Sequence, residues 1–169
     1  MQKRLVSGIA FSREEAVISL CGVPRQVGIE GRIIEKISRE NIEVDMIAQN
    51  ATADETIDFT FTVNRREHHK ALALIDELKK ELGNFSVKAN AKVAKLSLVG
   101  IGMRSHTGVA STMFRAIGDA NIPIKMITTS EIKISVIIDE SLLEQGIKAV
   151  HKAFELDKVP TVPEKALIE

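Results

Sequence analysis

The sequence predicts an α+β fold in which one β-α-β-β-α-β unit occurs twice, and three observations carry that expectation. First, the 169-residue chain matches itself when shifted by about eighty positions, which lays Gly28 on Gly108, Asn41-Ile42 on Asn121-Ile122 and Met46-Ile47 on Met126-Ile127. Second, apolar residues switch between a period of two and a spacing of three to four, in the same order in both halves. Third, the second copy lacks its last strand, while a spare apolar segment, Leu5 to Phe11, precedes the first.

Unit one opens with Ala16-Val17-Ile18-Ser19-Leu20-Cys21, a β-branched run ended by the turn signals Gly22 and Pro24. Ile29, Ile33 and Ile37 then recur at helical spacing from Gly28 to Glu40, and Asn41 stands where a left-handed C-cap is tolerated. A strand follows over Val44 to Gln49, then a turn over Asn50 to Glu55. The next strand alternates strictly through Ile57, Phe59, Phe61 and Val63. Ala71, Ile75, Leu78 and Leu82 mark a second amphipathic helix stopped by Gly83-Asn84, and Phe85, Val87 and Ala89 give a closing strand.

Unit two repeats the plan. A strand covers Lys95 to Gly100, a helix carries Val109, Met113, Ile117 and Ala120, and a strand covers Ile124 to Thr128. The alternating strand is Ile132, Ile134, Val136 and Ile138, and the last helix carries Leu143, Ile147, Val150 and Phe154. Pro160 and Pro163 argue against a regular central strand in the tail. The N-terminal segment is therefore expected to complete the second sheet, so that the first unit is inserted in the second. An open edge would instead leave backbone groups unpaired. Unit one takes residues 16–91, unit two takes 1–15 and 92–157, and 158–169 is left as a tail. Right-handed crossovers place both helices of each unit on one sheet face, which is a ferredoxin-like sandwich. The opposite faces, with Thr60, Thr62, Ser135 and Ile137, are partly apolar and are expected to meet another surface.

Composition excludes several classes of function. The chain has 23 Lys+Arg and 23 Asp+Glu, a net charge of zero, with 44% hydrophobic residues and neither Trp nor Tyr. Nothing in it draws the chain as a whole to nucleic acid or an anionic membrane, and Phe59 and Phe61, which share a strand face with Ile57 and Val63, are read as core rather than as a platform for stacking bases. No apolar run is long enough to span a bilayer, and the start lacks a secretory signal, so a cytoplasmic location is expected. The lone Cys21 is read as a small buried hydrophobe. Gly100-Ile101-Gly102 begins a dinucleotide fingerprint whose third glycine is replaced by Ser105, and neither a phosphate loop nor a serine elbow occurs. His68, His69, His106 and His151 share no metal-ligand spacing on one helix face. Asp76, Glu77 and Glu81 form a solvated helix surface.

What remains is the loop before the first helix of each unit, Gly22 to Gly28 and Gly100 to Gly108. Each delivers a glycine to a helix N-terminus, where free N–H groups and the helix dipole can hold a carboxylate. Asp45, Gln49 and Asn50 in one second strand, and Thr128, Thr129, Ser130 and Glu131 in the other, cluster polar groups nearby. Loop and strand together suit a free amino acid with both its charges paired.

Three runs carry a family resemblance: Val44 to Asn50, Gly100 to Val109, and Ile127 to Val136. They resemble the regulatory region of aspartokinase, in its lysine- or threonine-sensitive bacterial form, and the likeness covers nearly the whole chain. The resemblance implies that both units are ACT domains and that the chain is the β subunit, or the C-terminal regulatory region, of the enzyme that phosphorylates aspartate to 4-phosphoaspartate in lysine, threonine and methionine biosynthesis. The kinase domain, with its ATP and Mg, would precede Met1, so this chain alone is expected to hold no catalytic residue, metal or cofactor and to be inactive. The implied partners are a second copy, through the ACT domains, and the kinase domain or α subunit.

The implied ligand is threonine, lysine or both, bound between the first ACT unit of one copy and the second unit of the other to inhibit the kinase. Carried over by position, its contacts fall on Arg25, Gln26, Val27, Gly28, Ile29, Glu30, Asp45 and Gln49. Across the interface they fall on Val109, Ala110, Pro123, Ile124, Ser130 and Glu131. Arg25 stands where the family commonly has a carboxylate, and Glu30 supplies one where a small residue is usual. The expected contacts are effector carboxylate to N–H groups near Gly28 to Glu30, ammonium to Asp45, and side chain to Gln49. The alternative is a tandem-ACT amino-acid sensor with no kinase partner.

Overall fold

The computed structural model describes residues 6–100, 107–154 and 161–167. Along these the chain runs β1 (Val6–Pro24), α1 (Ile29–Ser38), β2 (Val44–Ala51), β3 (Thr56–Asn64), α2 (His68–Leu82), β4 (Ser86–Gly100), α3 (Thr107–Asp119), β5 (Met126–Thr129), β6 (Lys133–Asp139), α4 (Leu143–Ala153) and β7 (Thr161–Pro163). It divides into two compact units, Glu14–Lys92 and the combination of Met1–Arg13 with Val93–Glu169. Among the described residues no helix is long and apolar enough to cross a membrane.

In the unit Glu14–Lys92 the strand order is β2-β3-β1-β4. Antiparallel pairing sets Ala16, Ile18 and Leu20 of β1 opposite Val63, Phe61 and Phe59 of β3, so the alternation of both strands is spent on one face. α1 lays Ile29, Ile33 and Ile37 on that face, and α2 adds Ala71, Ile75, Leu78 and Leu82. The Phe59 and Phe61 rings stand 6.1 Å apart at 51°, both inside this core rather than on a stacking surface. Each fully buried side chain of this size contributes about 1.5–3 kcal/mol. Asn41 takes the left-handed conformation at φ +58, and its repeat partner Asn121 does the same at φ +59, stopping α1 and α3 at equivalent places.

The second unit follows the same order, β5-β6-β4-β1. Ala94, Leu96 and Leu98 of β4 face Ile138, Val136 and Ile134 of β6. Val109, Met113 and Ile117 of α3 cover them together with Leu143 and Val150 of α4, and Val6 and Ile9 of β1 join the same cluster. Gly146 lets α4 approach closely, since a Cβ there would come within 3.2 Å of both Leu96 and Ile138 side chains.

The structure departs from the sequence expectations at four points. Ser12-Arg13-Glu14-Glu15 does not interrupt β1, and Asn90-Ala91-Lys92 does not interrupt β4, because polarity without Gly or Pro does not end a strand. Leu5 and most of the Gly100 to Gly108 loop lie outside the described residues. The tail is not wholly irregular: β7 pairs in parallel with Ile9–Phe11 of β1, off the end of the strand order, where Pro163 is tolerated. Cys21, expected to be buried, is only half-buried, whereas Thr62, Ser135 and Ile137, on faces expected to meet another surface, are buried.

Surface charges on the helices are paired rather than merely solvated. Glu77 meets Lys36 at 2.7 Å and Glu81 meets Arg32 at 3.6 Å, linking α2 to α1. The hydrogen bond and charge of Lys36 hold the Glu77 carboxyl low, and Glu77 holds Lys36 high, but exposed pairs of this kind add little stability.

Two stability measurements follow. Gly146→Leu forces a branched side chain against Leu96 and Ile138 and is expected to cost about 1–3 kcal/mol in denaturant unfolding; an unchanged midpoint would show that α4 can move away. His68, at the first turn of α2, has its Nε2 buried with no hydrogen-bond partner among the described residues. Burial first, then the His69 ring 5.1 Å away, lowers its pKa below the ordinary 6.5. The native state therefore binds this proton less readily than the unfolded chain. Its contribution is fully present above the unfolded pKa and is lost as pH falls through the lower native value. Between about pH 7.5 and about pH 5 the thermal midpoint of the native chain should fall more steeply than that of His68→Phe. Parallel curves would remove His68 as the cause.

Candidate functional site

The approach to α1 is shaped by a strand irregularity. The β1–β3 ladder slips by one residue between Leu20 and Val23, where Gly22 sits at φ +74 and donates its N–H to Asp58 Oδ1 at 2.9 Å. The chain then turns away from the sheet. Arg25 N–H donates to the Glu55 carbonyl at 3.1 Å, and Ile29 N–H to the Gln26 carbonyl at 3.1 Å. Gly28 precedes the helix at φ +88, a conformation that favours glycine, and its carbonyl accepts from Arg32 N–H at 3.2 Å.

No side chain of the capping residue closes the α1 N-terminus, and Glu30 supplies the acidic group in its first turn. The Glu30 carboxyl lies below its usual 4.5 because its own backbone N–H and then the Gln49 side-chain amide hydrogen-bond to the carboxylate, against a small opposing effect of burial. A carboxylate here is also favoured by the helix dipole. Glu30 and Gln49, placed by a helix and a strand well apart in sequence, are thus brought together.

β2 is the edge strand of this unit. Ile47 and Gln49 lie opposite Phe61 and Phe59, so they point to the helix side of the sheet. At the edge the helices no longer cover them: Ile47 remains 47% exposed and Gln49 is exposed. Asp45 falls at a second ladder slip, between Val44 and Ile47, and its carboxylate oxygen lies within 4.8 Å of that of Glu15. Four residues of strand place it about 13 Å from Gln49. The structure therefore gathers the loop, Glu30 and Gln49, and leaves Asp45 in other company.

Of the other first-unit positions, Arg25, Gln26, Val27 and Gly28 are exposed, and Val27 is fully so. Ile29 is 1% exposed, with its side chain in the core, so only its backbone faces the loop. In the second unit Val109 is likewise a core residue. Ala110 and Ile124 are half-buried against that core, while Pro123, Ser130 and Glu131 are exposed. The Ser130 hydroxyl is occupied locally, donating to the Lys133 carbonyl at 3.4 Å and accepting from Ile132 N–H at 3.4 Å, which closes the β5–β6 turn.

The sequence reading missed the two residues that the repeat makes most conspicuous. The burial pattern over 42–50 is reproduced position by position over 122–130, and Ile127, 43% exposed, is the counterpart of Ile47. Both isoleucines stand on edge strands with exposed neighbours two positions away. The signal was present, since Met46-Ile47 and Met126-Ile127 align under the repeat and only Met is needed for the core.

Comparison with known proteins adds the context for this geometry. A family model described as the ACT domain matches residues 18–78 and 96–154. An aspartate kinase of Pseudomonas putida is 50% identical over 157 residues, 93% of this chain, but the chain spans only 38% of that protein's length. A crystal structure of aspartokinase alpha and beta subunits superposes with a TM-score of 0.83 at 44% identity, over 89% of this chain and 99% of the matched one. The ligand-free regulatory subunit of aspartate kinase from Thermus thermophilus gives a TM-score of 0.84 at 35% identity, with the same coverage. Two matched repeats, and regulatory chains matched along nearly their whole length, show that this chain belongs to the ACT domain family, in the tandem form found in the regulatory part of aspartokinases.

Proposed function

We propose that the chain senses threonine, lysine or both and transmits feedback inhibition to an aspartate kinase catalytic domain or subunit. The observation that carries this reading is the meeting of Glu30 and Gln49 at the α1 N-terminus, beside an exposed edge strand. An amino-acid ligand brings one carboxylate and one ammonium. The first-turn N–H groups of α1 suit the carboxylate, and the Glu30 carboxylate, freed from its own N–H by the exchange, suits the ammonium. Gln49 offers both a donor and an acceptor to the ligand side chain. Asp45, about 13 Å from Gln49, has no part in this version of the site.

The second half of the site comes from another copy. Ile47 and Ile127 leave apolar area on strand edges that would otherwise invite uncontrolled pairing, and a dimer covers them. In that arrangement Ala110, Pro123, Ile124, Ser130 and Glu131 of the partner's second unit close over the ligand, together with the backbone at Val109. A ligand that contacts both copies stabilises the dimer, and it inhibits an attached kinase by favouring the assembled state with the inactive arrangement. Phosphorylation of aspartate, with ATP and Mg, belongs to the part of the relatives that this chain does not span.

Calorimetric titration with threonine, with lysine and with both, alongside the mass in solution, tests the reading. A dimer that binds at least one of them saturably is the expected result. Gln49→Ala and Glu30→Gln should each weaken binding roughly 5- to 30-fold, about 1–2 kcal/mol, without shifting the melting temperature much. A folded dimer indifferent to both amino acids at millimolar concentration would overturn the assignment. Because the Glu30 pKa is lowered, affinity should hold as pH drops toward 4.5 and fall only as pH passes below it, and Glu30→Gln should abolish that fall. Ile47→Lys, a change at an exposed position, should shift the mass toward the monomer while leaving the circular dichroism of the fold intact.

A further inference from the structure

The sheet face of β4 and β6 turned away from α3 and α4 carries two lysines. Alternation puts Leu96, Leu98, Ile134 and Val136 toward the helices and therefore puts Lys95, Ser97, Lys133 and Ser135 on the other side. Lys95 is 1% exposed, an extreme burial for an ammonium group. Glu164, the residue that follows β7, reaches both lysines: its Oε2 lies 2.6 Å from Lys95 Nζ and its Oε1 lies 3.1 Å from Lys133 Nζ. The two oxygens of one tail carboxylate thus span two strands.

The same tail segment is attached a second way. Thr161, Val162 and Pro163 pair with Ile9, Ala10 and Phe11. Three residues of parallel ladder ending in proline form a weak attachment by themselves. An ammonium held out of water gains strongly from a carboxylate in contact with it. The two contacts therefore depend on each other: the ladder positions Glu164, and Glu164 holds the ladder.

We propose that Thr161–Leu167 is a detachable strap, in which β7 adds to the N-terminal part of β1 and Glu164, shared by Lys95 and Lys133, locks it in place. Seating the strap and holding Val6–Phe11 in the sheet are then one event. This part of β1 completes the sheet of its unit from a distant point in the sequence, so the strap sets how readily that unit opens. Release is a local unfolding step confined to the strap and the strand it covers.

Hydrogen exchange on the full chain, comparing the native sequence with Glu164→Gln, Val162→Pro and the double variant, tests this. Either single change should speed exchange of the Val6–Phe11 amides by about tenfold or more, with the amides of Ile29–Leu82 unchanged. The double variant should go no further than the stronger single one, because a strap already released has nothing more to lose. Glu164→Asp, which keeps the charge, should recover part of the protection. Three results would overturn the proposal: changes under about threefold at Val6–Phe11, effects that multiply in the double variant, or acceleration spread evenly over the whole chain.

Discussion

The interaction on which everything else depends is the burial of one face of β3 and one face of β6 beneath a pair of helices. Ile57, Phe59, Phe61 and Val63 in one unit, and Ile134, Val136 and Ile138 in the other, can be buried together only if their strands are extended and paired on both sides. That fixes the places of β1 and β4 on one side and pushes β2 and β5 to the edges. At the edge a side chain can point toward the helices and still be reached by solvent. Ile47, Gln49 and Ile127 are in that position. The candidate site is thus a by-product of the core: it lies where helix cover ends.

Electrostatics then decides which polar groups at the edge act together. With a net charge of zero the chain as a whole has no net attraction for a charged ligand, so the recognition proposed above rests on local groups. Two carboxylates on or near the same edge have different surroundings. Glu30 sits at the positive end of α1 with two hydrogen-bond donors, which favour its ionised form. Asp45 sits near another carboxylate, that of Glu15. The first is a prepared partner for a cation beside a helix N-terminus that welcomes an anion, and the second stands in a carboxylate cluster away from that terminus.

Much of this was legible in the sequence because it depends on local rules. Alternation through Ile57 to Val63 identified a strand half-buried under helices, and Asn41 marked a helix end, as its repeat partner Asn121 also does in the structure, because few other residues tolerate positive φ. The missing sixth strand pointed to the N-terminal segment by elimination. What the sequence left open concerns properties that no short window contains. Whether Ser12 to Glu15 ends a strand depends on what flanks it in the sheet. Whether the Ile29 side chain faces the loop or the core depends on the angle at which α1 lands, which a position in the sequence does not give. The turn partners of Ser130, the Lys133 carbonyl and Ile132 N–H, are defined only once β5 and β6 pair. Glu164 carried no motif, since its partners lie on two different strands.

The repeat also carries an asymmetry that bears on how copies of the chain would pair. Under the eighty-residue shift Glu30 becomes Ala110, Gln49 becomes Thr129 and Asp45 becomes Lys125, while Ile47 remains Ile127. The apolar edge position is kept in both units, and the ionisable groups around it are not. Pairing of like units would bring Asp45 toward Asp45, or Lys125 toward Lys125, at the cost of like-charge contact. Pairing of unlike units sets opposite charges against each other and keeps the isoleucine contact. It also sets the Glu30 and Gln49 pair of the first unit against a second unit whose matching positions, Ala110 and Thr129, carry no charge. An amino acid between like first units would meet two Glu30 carboxylates and only one compensating ammonium of its own. In the dimer proposed above, the charge differences between the two halves would therefore favour closing each first unit with a second unit of another copy.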